Sequence, residues 1–99
     1  MTTIYHIAEP DRWDPQAESY EAESLTTEGF IHCSTAAQLS GVVQTFYTGR
    51  SDLILLSIDP DKVEIGVVYE DLYGHGDDFP HVYGPIVKQA IISAEPFSA

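Results

Sequence analysis

Basic residues are what this chain has least of. Of its 99 residues only four are Lys or Arg (Arg12, Arg50, Lys62 and Lys88), against sixteen Asp and Glu, for a formal net charge of −12. Nucleic-acid affinity comes largely from Lys and Arg displacing counterions from phosphates, so this balance argues against an RNA or DNA partner. It also opposes casual self-association, which points to a monomer. The single cysteine, Cys33, excludes an internal disulfide and fits a reducing cytoplasm. Long apolar runs are missing too: the longest, over 53–58, falls far short of the ~20 residues of a membrane span. The chain does not open with a basic stretch, an apolar run and a small-residue cleavage site, so no secretory leader is expected. The expectation is a cytoplasmic protein without a membrane partner.

What is present is enough for one core. A chain of 99 residues with 43% hydrophobic and 20% charged residues is globular, and its length allows one domain over 1–99. "TTIYHI" predicts a first strand over 3–7. In "DRWDPQAESYEAES" Asp11 or Asp14 is placed to cap a short N-terminal helix, Pro15 suits its first turn, and Trp13 and Tyr20 stand about two helical turns apart. Gly29 leads into the short strand "FIHCS". Leu39, Val42, Val43 and Phe46 then recur at i, i+3, i+4 and i+7, one apolar helical face over 36–47. Thr35 and Gln38 have capping-box spacing, and Gly49 stands where a C-terminal cap belongs. "DLILLSID" reads as a central strand, 63–72 as a second β-rich run, "HVYG" as a short extended piece and "IVKQAIISAE" as a closing strand. The pattern predicts an α+β single domain with a mostly antiparallel or mixed sheet, one clear helix and one short N-terminal helix.

Side chains alternate across a strand. In "GFIHCS", Phe30, His32 and Ser34 therefore point one way while Ile31 and Cys33 point the other. Cys33 reads as a small core residue that His32 is not placed to activate. By the same rule Phe79, His81 and Tyr83 share a face, Val68 and Glu70 share one, and His6 lies opposite Tyr5 and Ile7. His6, His32, Ser34, Glu70, His81 and Tyr83 are thus candidates for one cleft, since buried polar groups must find partners. Ser34 and Thr35 also deliver the chain into a helix N-terminus, whose unsatisfied amides suit a phosphate or carboxylate; ordinary capping by Thr35 accounts for the same residues. "HGDD" adds His75, Asp77 and Asp78, but no pair has a recognised zinc spacing, so a solvated turn is expected there and no metal site.

"YHI", "EGFIHCS", "DLILLSID", a later "YE" and "FPHVYGPI" together resemble a bacterial family, the domain of unknown function 952, over nearly the whole chain from Ile4 to about Ile92. That family is grouped by fold with ADP-ribosyltransferase-like proteins, which hold NAD in a cleft between two small sheets. The resemblance implies a split β-sheet of the ADP-ribosyltransferase-like kind, and with it NAD, or another small anionic or nucleotide-type ligand. His6 and His32 would line the nicotinamide side, Ser34 and the helix start the ribose or pyrophosphate, and Glu70 or His81 the reacting ribose. Glu70, His32 and His81 are then the catalytic candidates of an ADP-ribosyl-type transferase or NAD-dependent enzyme, and His6, Ser34, Thr35 and Tyr83 the ligand-binding ones. The competing expectation is a non-catalytic interaction module whose histidines only staple strands together.

Overall fold

The apolar run at 53–58 becomes the middle of the molecule. In a computed structural model that describes residues 2–74 and 76–99, strand β4 (Leu53–Ile58) pairs antiparallel with β1 (Ile4–Ala8) on one side and with β8 (Ile91–Phe97) on the other. Leu53, Leu56 and Ile58 are buried, which explains why a strand flanked on both edges reads as nearly continuous apolar sequence. A second three-stranded sheet is ordered β3 (Ile31–His32), β6 (Phe79–Val82), β5 (Val68–Glu70). A two-stranded ribbon joins β2 (Ser19–Tyr20) to β7 (Ile86–Val87). All the pairings among the described residues are antiparallel, so the α+β class holds and the split sheet contains no mixed pairing.

One two-residue contact ties the two larger sheets together. The Tyr5 N–H donates to the Ser34 carbonyl and the Ser34 N–H to the Tyr5 carbonyl, each at 2.7 Å. That bridge brings His6 on β1 alongside His32 on β3. Ile4, Ile31, Cys33, Leu56, Val82 and Ile86 pack into one core behind it.

Helix α2 (Ala36–Phe46) forms where its periodicity and cap place it. Thr35 Oγ1 accepts from the Gln38 N–H at 3.3 Å, and Gln38 Oε1 accepts from the Thr35 N–H at 3.0 Å, so two otherwise orphaned donors are satisfied. The helix stops at Tyr47, and Gly49 then takes a φ of +85°. None of its residues is fully buried, and Phe46 is 71% exposed. Its apolar face is only half covered.

The short N-terminal helix expected over 11–24 does not form. Turns, bends and irregular backbone run to residue 18, β2 follows, and one short helix, α1 (Glu23–Thr27), comes later. The reason is a cross-chain clamp. Lys88 Nζ donates to the carbonyls of Asp14 and Ala17 at 2.7 and 2.9 Å and lies 4.5 Å over the Trp13 ring, which holds the turn open as a loop. Trp13 and Tyr20 still meet, with ring centroids 6.1 Å apart, but by tertiary contact and not along a helix. The β-rich run at 63–72 is also shorter than its composition suggests, with only Val68–Glu70 in the sheet. Gly66, with a φ of +85°, closes a turn before it, its N–H donating to the Val63 carbonyl at 3.0 Å. No helix among the described residues is long and apolar enough to cross a membrane.

Candidate functional site

Strand register decides which side chains meet. Ile31 pairs with Val82 and His32 with His81 across β3 and β6, so the two histidines stand directly opposite one another. Their rings meet nearly edge-on, centroids 5.6 Å apart. Phe30 backs the pair, 4.7 Å from the His32 ring and 4.3 Å from that of His81. Ile31, Cys33 and Val82, on the opposite face, belong to the core.

Each histidine is held by a carboxylate that also binds a tyrosine. His81 Nδ1–H donates to Glu70 Oε2 at 2.8 Å, and the Tyr83 hydroxyl donates to the same oxygen. His32 Nε2–H donates to Glu28 Oε2 at 3.1 Å, while the Tyr73 hydroxyl donates to Glu28 Oε1 at 2.8 Å. Donation by Tyr83 and then by His81 lowers the Glu70 pKa, and Tyr73 and then His32 do the same for Glu28. Both carboxylates stay ionised, and the phenols of Tyr73 and Tyr83 are correspondingly pushed up and remain donors.

The histidines differ in what is left over. His81 is only 2% exposed, and its Nε2 has no hydrogen-bond partner among the described residues. Among the described residues no side-chain nitrogen or oxygen is both sealed from solvent and unpartnered, so that nitrogen keeps some exposure. With Nδ1 carrying the proton toward Glu70, Nε2 presents a lone pair. His6 has nothing left over. Its Nδ1–H donates to the His32 carbonyl at 2.5 Å and its Nε2 accepts from the Tyr20 hydroxyl at 2.7 Å. Burial holds the His6 pKa down at about 4, and it pushes the Cys33 thiol up to about 12.

These groups surround a cleft of about 1070 Å³. His6, His32, Ser34, Glu70 and His81 line it, together with Val42 and Phe46 from α2. Thr35 stands outside the lining, its hydroxyl used in the helix cap, and Tyr83 reaches the site only through Glu70. Ser34 is buried, and its backbone makes the bridge to Tyr5. His75 lies outside the described residues; among the described residues no group of three or more His, Cys, Asp or Glu is placed to hold a metal ion. Sequence reasoning missed Tyr20, Glu28 and Tyr73. Glu28 had a signal, standing four residues before His32, but nothing local marks a tyrosine 45 residues away as its partner.

The cleft wall is acidic. Glu9, Asp11, Glu23, Glu28, Glu70 and Asp71 contribute carboxylates, against the guanidinium of Arg12. Arg50, outside the lining, answers Glu9 at 2.7 Å, and Arg12 lies 3.9 Å from Glu23. Among the described residues Glu28 and Glu70 have only histidine and tyrosine donors.

No curated protein matches the chain. It is similar to protein CC0527 from Caulobacter crescentus. A crystal structure of that protein superposes with a TM-score of 0.84 at 26% identity, covering 96% of this chain and 85% of that one. The solution NMR structure of CC0527 gives 0.78 at 25% identity, covering 99% and 86%. The family described as "Protein of unknown function (DUF952)" matches residues 7–94, and the chain belongs to it.

Proposed function

We propose that this member of the DUF952 family binds a small nucleotide-type ligand in its cleft, with NAD the first candidate, and that His81 exchanges a proton with it. The observation that carries this reading is His81 itself: almost wholly buried, fixed by Glu70 through Nδ1, lining the cleft, and without a partner at Nε2 among the described residues. A buried histidine used only for packing would have both nitrogens paired, as His6 does. The carboxylate–histidine arrangement is the one that general acid–base chemistry needs, a fixed tautomer with one nitrogen presented to the reactant. The ADP-ribosyltransferase-like grouping of the family supports NAD, with Glu70 favouring positive charge that develops at a sugar carbon beside it.

The residues present fit one end of such a ligand better than the other. Ionised Glu70 and Glu28 suit hydroxyl donors and a cationic ring, whereas among the described lining residues only Arg12 offers a pyrophosphate a positive charge. Given its charge of −12, the protein is proposed to act as a monomer; a stable dimer by light scattering at low micromolar concentration would overturn that.

Calorimetry with NAD, ADP-ribose and nicotinamide tests the reading. Heat from at least one of them is expected, lost in His81→Ala with a modest fall in stability. No heat from any at millimolar concentration would sink it. The second reading, a non-catalytic interaction module, draws on His6, which is fully spent in joining β1, β2 and β3. It expects His32→Ala and His81→Ala to lower the melting temperature while no small molecule raises it.

A further inference from the structure

The charge of the inner cleft narrows what can enter it. Glu28 and Glu70 are each hydrogen-bonded by a histidine and a tyrosine, and among the described residues neither carboxylate is paired with a Lys or Arg. They flank the His32–His81 pair, one carboxylate behind each ring. The aromatic side chains of Tyr73 and Phe79 line the same region, and aromatic faces attract cations. An acidic wall alone would be no more than a solvated surface. The independent observation is His81, 2% exposed and lining the cleft, with an unpartnered Nε2 that accepts a hydrogen bond in its neutral form.

We propose that the inner cleft selects an organic cation carrying an N–H donor, its charge held in the field of Glu28 and Glu70 and its N–H given to Nε2 of His81. This rests on the reading of the cleft as a small-molecule site and adds the charge of the group that enters. Two sources share the chemistry: the pyridinium carboxamide end of an NAD-type ligand, and the ammonium groups of a free polyamine. Two like charges close to a partly desolvated site are worth most to a ligand that neutralises them, and cost most to one that adds a third.

The experiment is calorimetry at neutral pH and constant ionic strength with probes matched in shape and differing in charge. Nicotinamide riboside is cationic, and its dihydro form has the same skeleton without the charge; spermidine and ADP-ribose complete the set. The riboside is expected to bind at least about tenfold tighter than its dihydro form. Spermidine binding without the riboside supports the cation and assigns it to a polyamine. Glu70→Gln and Glu28→Gln keep the acceptor oxygens and remove the charge, so each is expected to reduce the preference for the cation. Glu28 is at the exposed side of the site, so its variant keeps the test valid if Glu70→Gln fails to fold. Equal or tighter binding of the dihydro form, or of ADP-ribose, overturns the cation while leaving the small-molecule reading standing. So does a preference unchanged in both variants. Silence from every probe overturns both.

Discussion

The hydroxyl of Tyr20 donates to Nε2 of His6 across 2.7 Å, a direction set by the other nitrogen and by the burial that keeps the ring neutral. Because the His32 carbonyl only accepts, Nδ1 must carry the hydrogen and Nε2 must be bare. His6 is therefore a neutral staple joining three strands of three different sheets, and most of its energetic value depends on its staying neutral.

Acid should attack that staple first. The His6 pKa is about 4 in the folded protein, against 6.5 when unfolded. Between those values the unfolded chain takes up the proton and the folded one does not. The stability contribution is thus complete above pH 6.5 and is lost as pH falls toward 4. The swing is on the order of 3 kcal/mol. Urea unfolding at neutral pH and near pH 4.5 measures it, and His6→Gln is expected to flatten the dependence in this window.

Tyr20→Phe removes the donor and leaves a buried imidazole nitrogen without a partner. The expected loss is roughly 1–3 kcal/mol, larger than a surface hydroxyl would give. Equilibrium unfolding of the variant checks it, and a change within ~0.5 kcal/mol would show that the bond contributes nothing net.

Tyr83→Phe should be felt at Glu70. The tyrosine is the first cause of the lowered Glu70 pKa, with His81 second. A carboxylate of this kind stabilises the fold above its unfolded pKa, and that stabilisation fades as pH falls through the folded one. In the variant the Glu70 carboxyl is expected to titrate at higher pH, nearer the ordinary value, as followed by carbon NMR. An unmoved midpoint would mean that the hydroxyl does not hold this carboxylate.

Cys33 should be inert in the native protein. It is 3% exposed, and burial raises its thiol to about 12, so almost no thiolate exists at neutral pH. A thiol reagent is expected to label it only at the rate of unfolding. Rapid native labelling would place the cysteine on the open side of β3.

Thr35→Ala tests whether the capping box supports α2. With no residue of the helix fully buried, local terms matter more than usual. A loss of about 1 kcal/mol is expected, seen as lower helix content or a lower melting temperature. Ligand response should survive, because Thr35 does not line the cleft.

Features governed by near neighbours were legible in the amino-acid order. The α2 cap and its periodicity involve residues three and four apart, and β4 is marked by composition alone. The opposite facing of His32 and Cys33 follows from pleating, which no tertiary contact alters. The segment at 11–24 was not legible, because its conformation depends on Lys88, more than seventy residues away in the chain. Nor was the Tyr73–Glu28 bond, where the partners share no pattern that would connect them.

By itself, then, the sequence determined a small acidic α+β domain, one capped helix, a central apolar strand, and the facing of His32 away from Cys33 and the core. Tertiary structure decided what the histidines are. Register set His32 against His81, and the Tyr5–Ser34 bridge brought His6 under the His32 carbonyl. One imidazole thereby became fully bonded and structural, while another, lining a cleft, kept one nitrogen without a partner among the described residues. The physical reason is that a histidine's chemistry depends on which of its two nitrogens is already engaged, and those partners come from strands that the chain order does not place side by side.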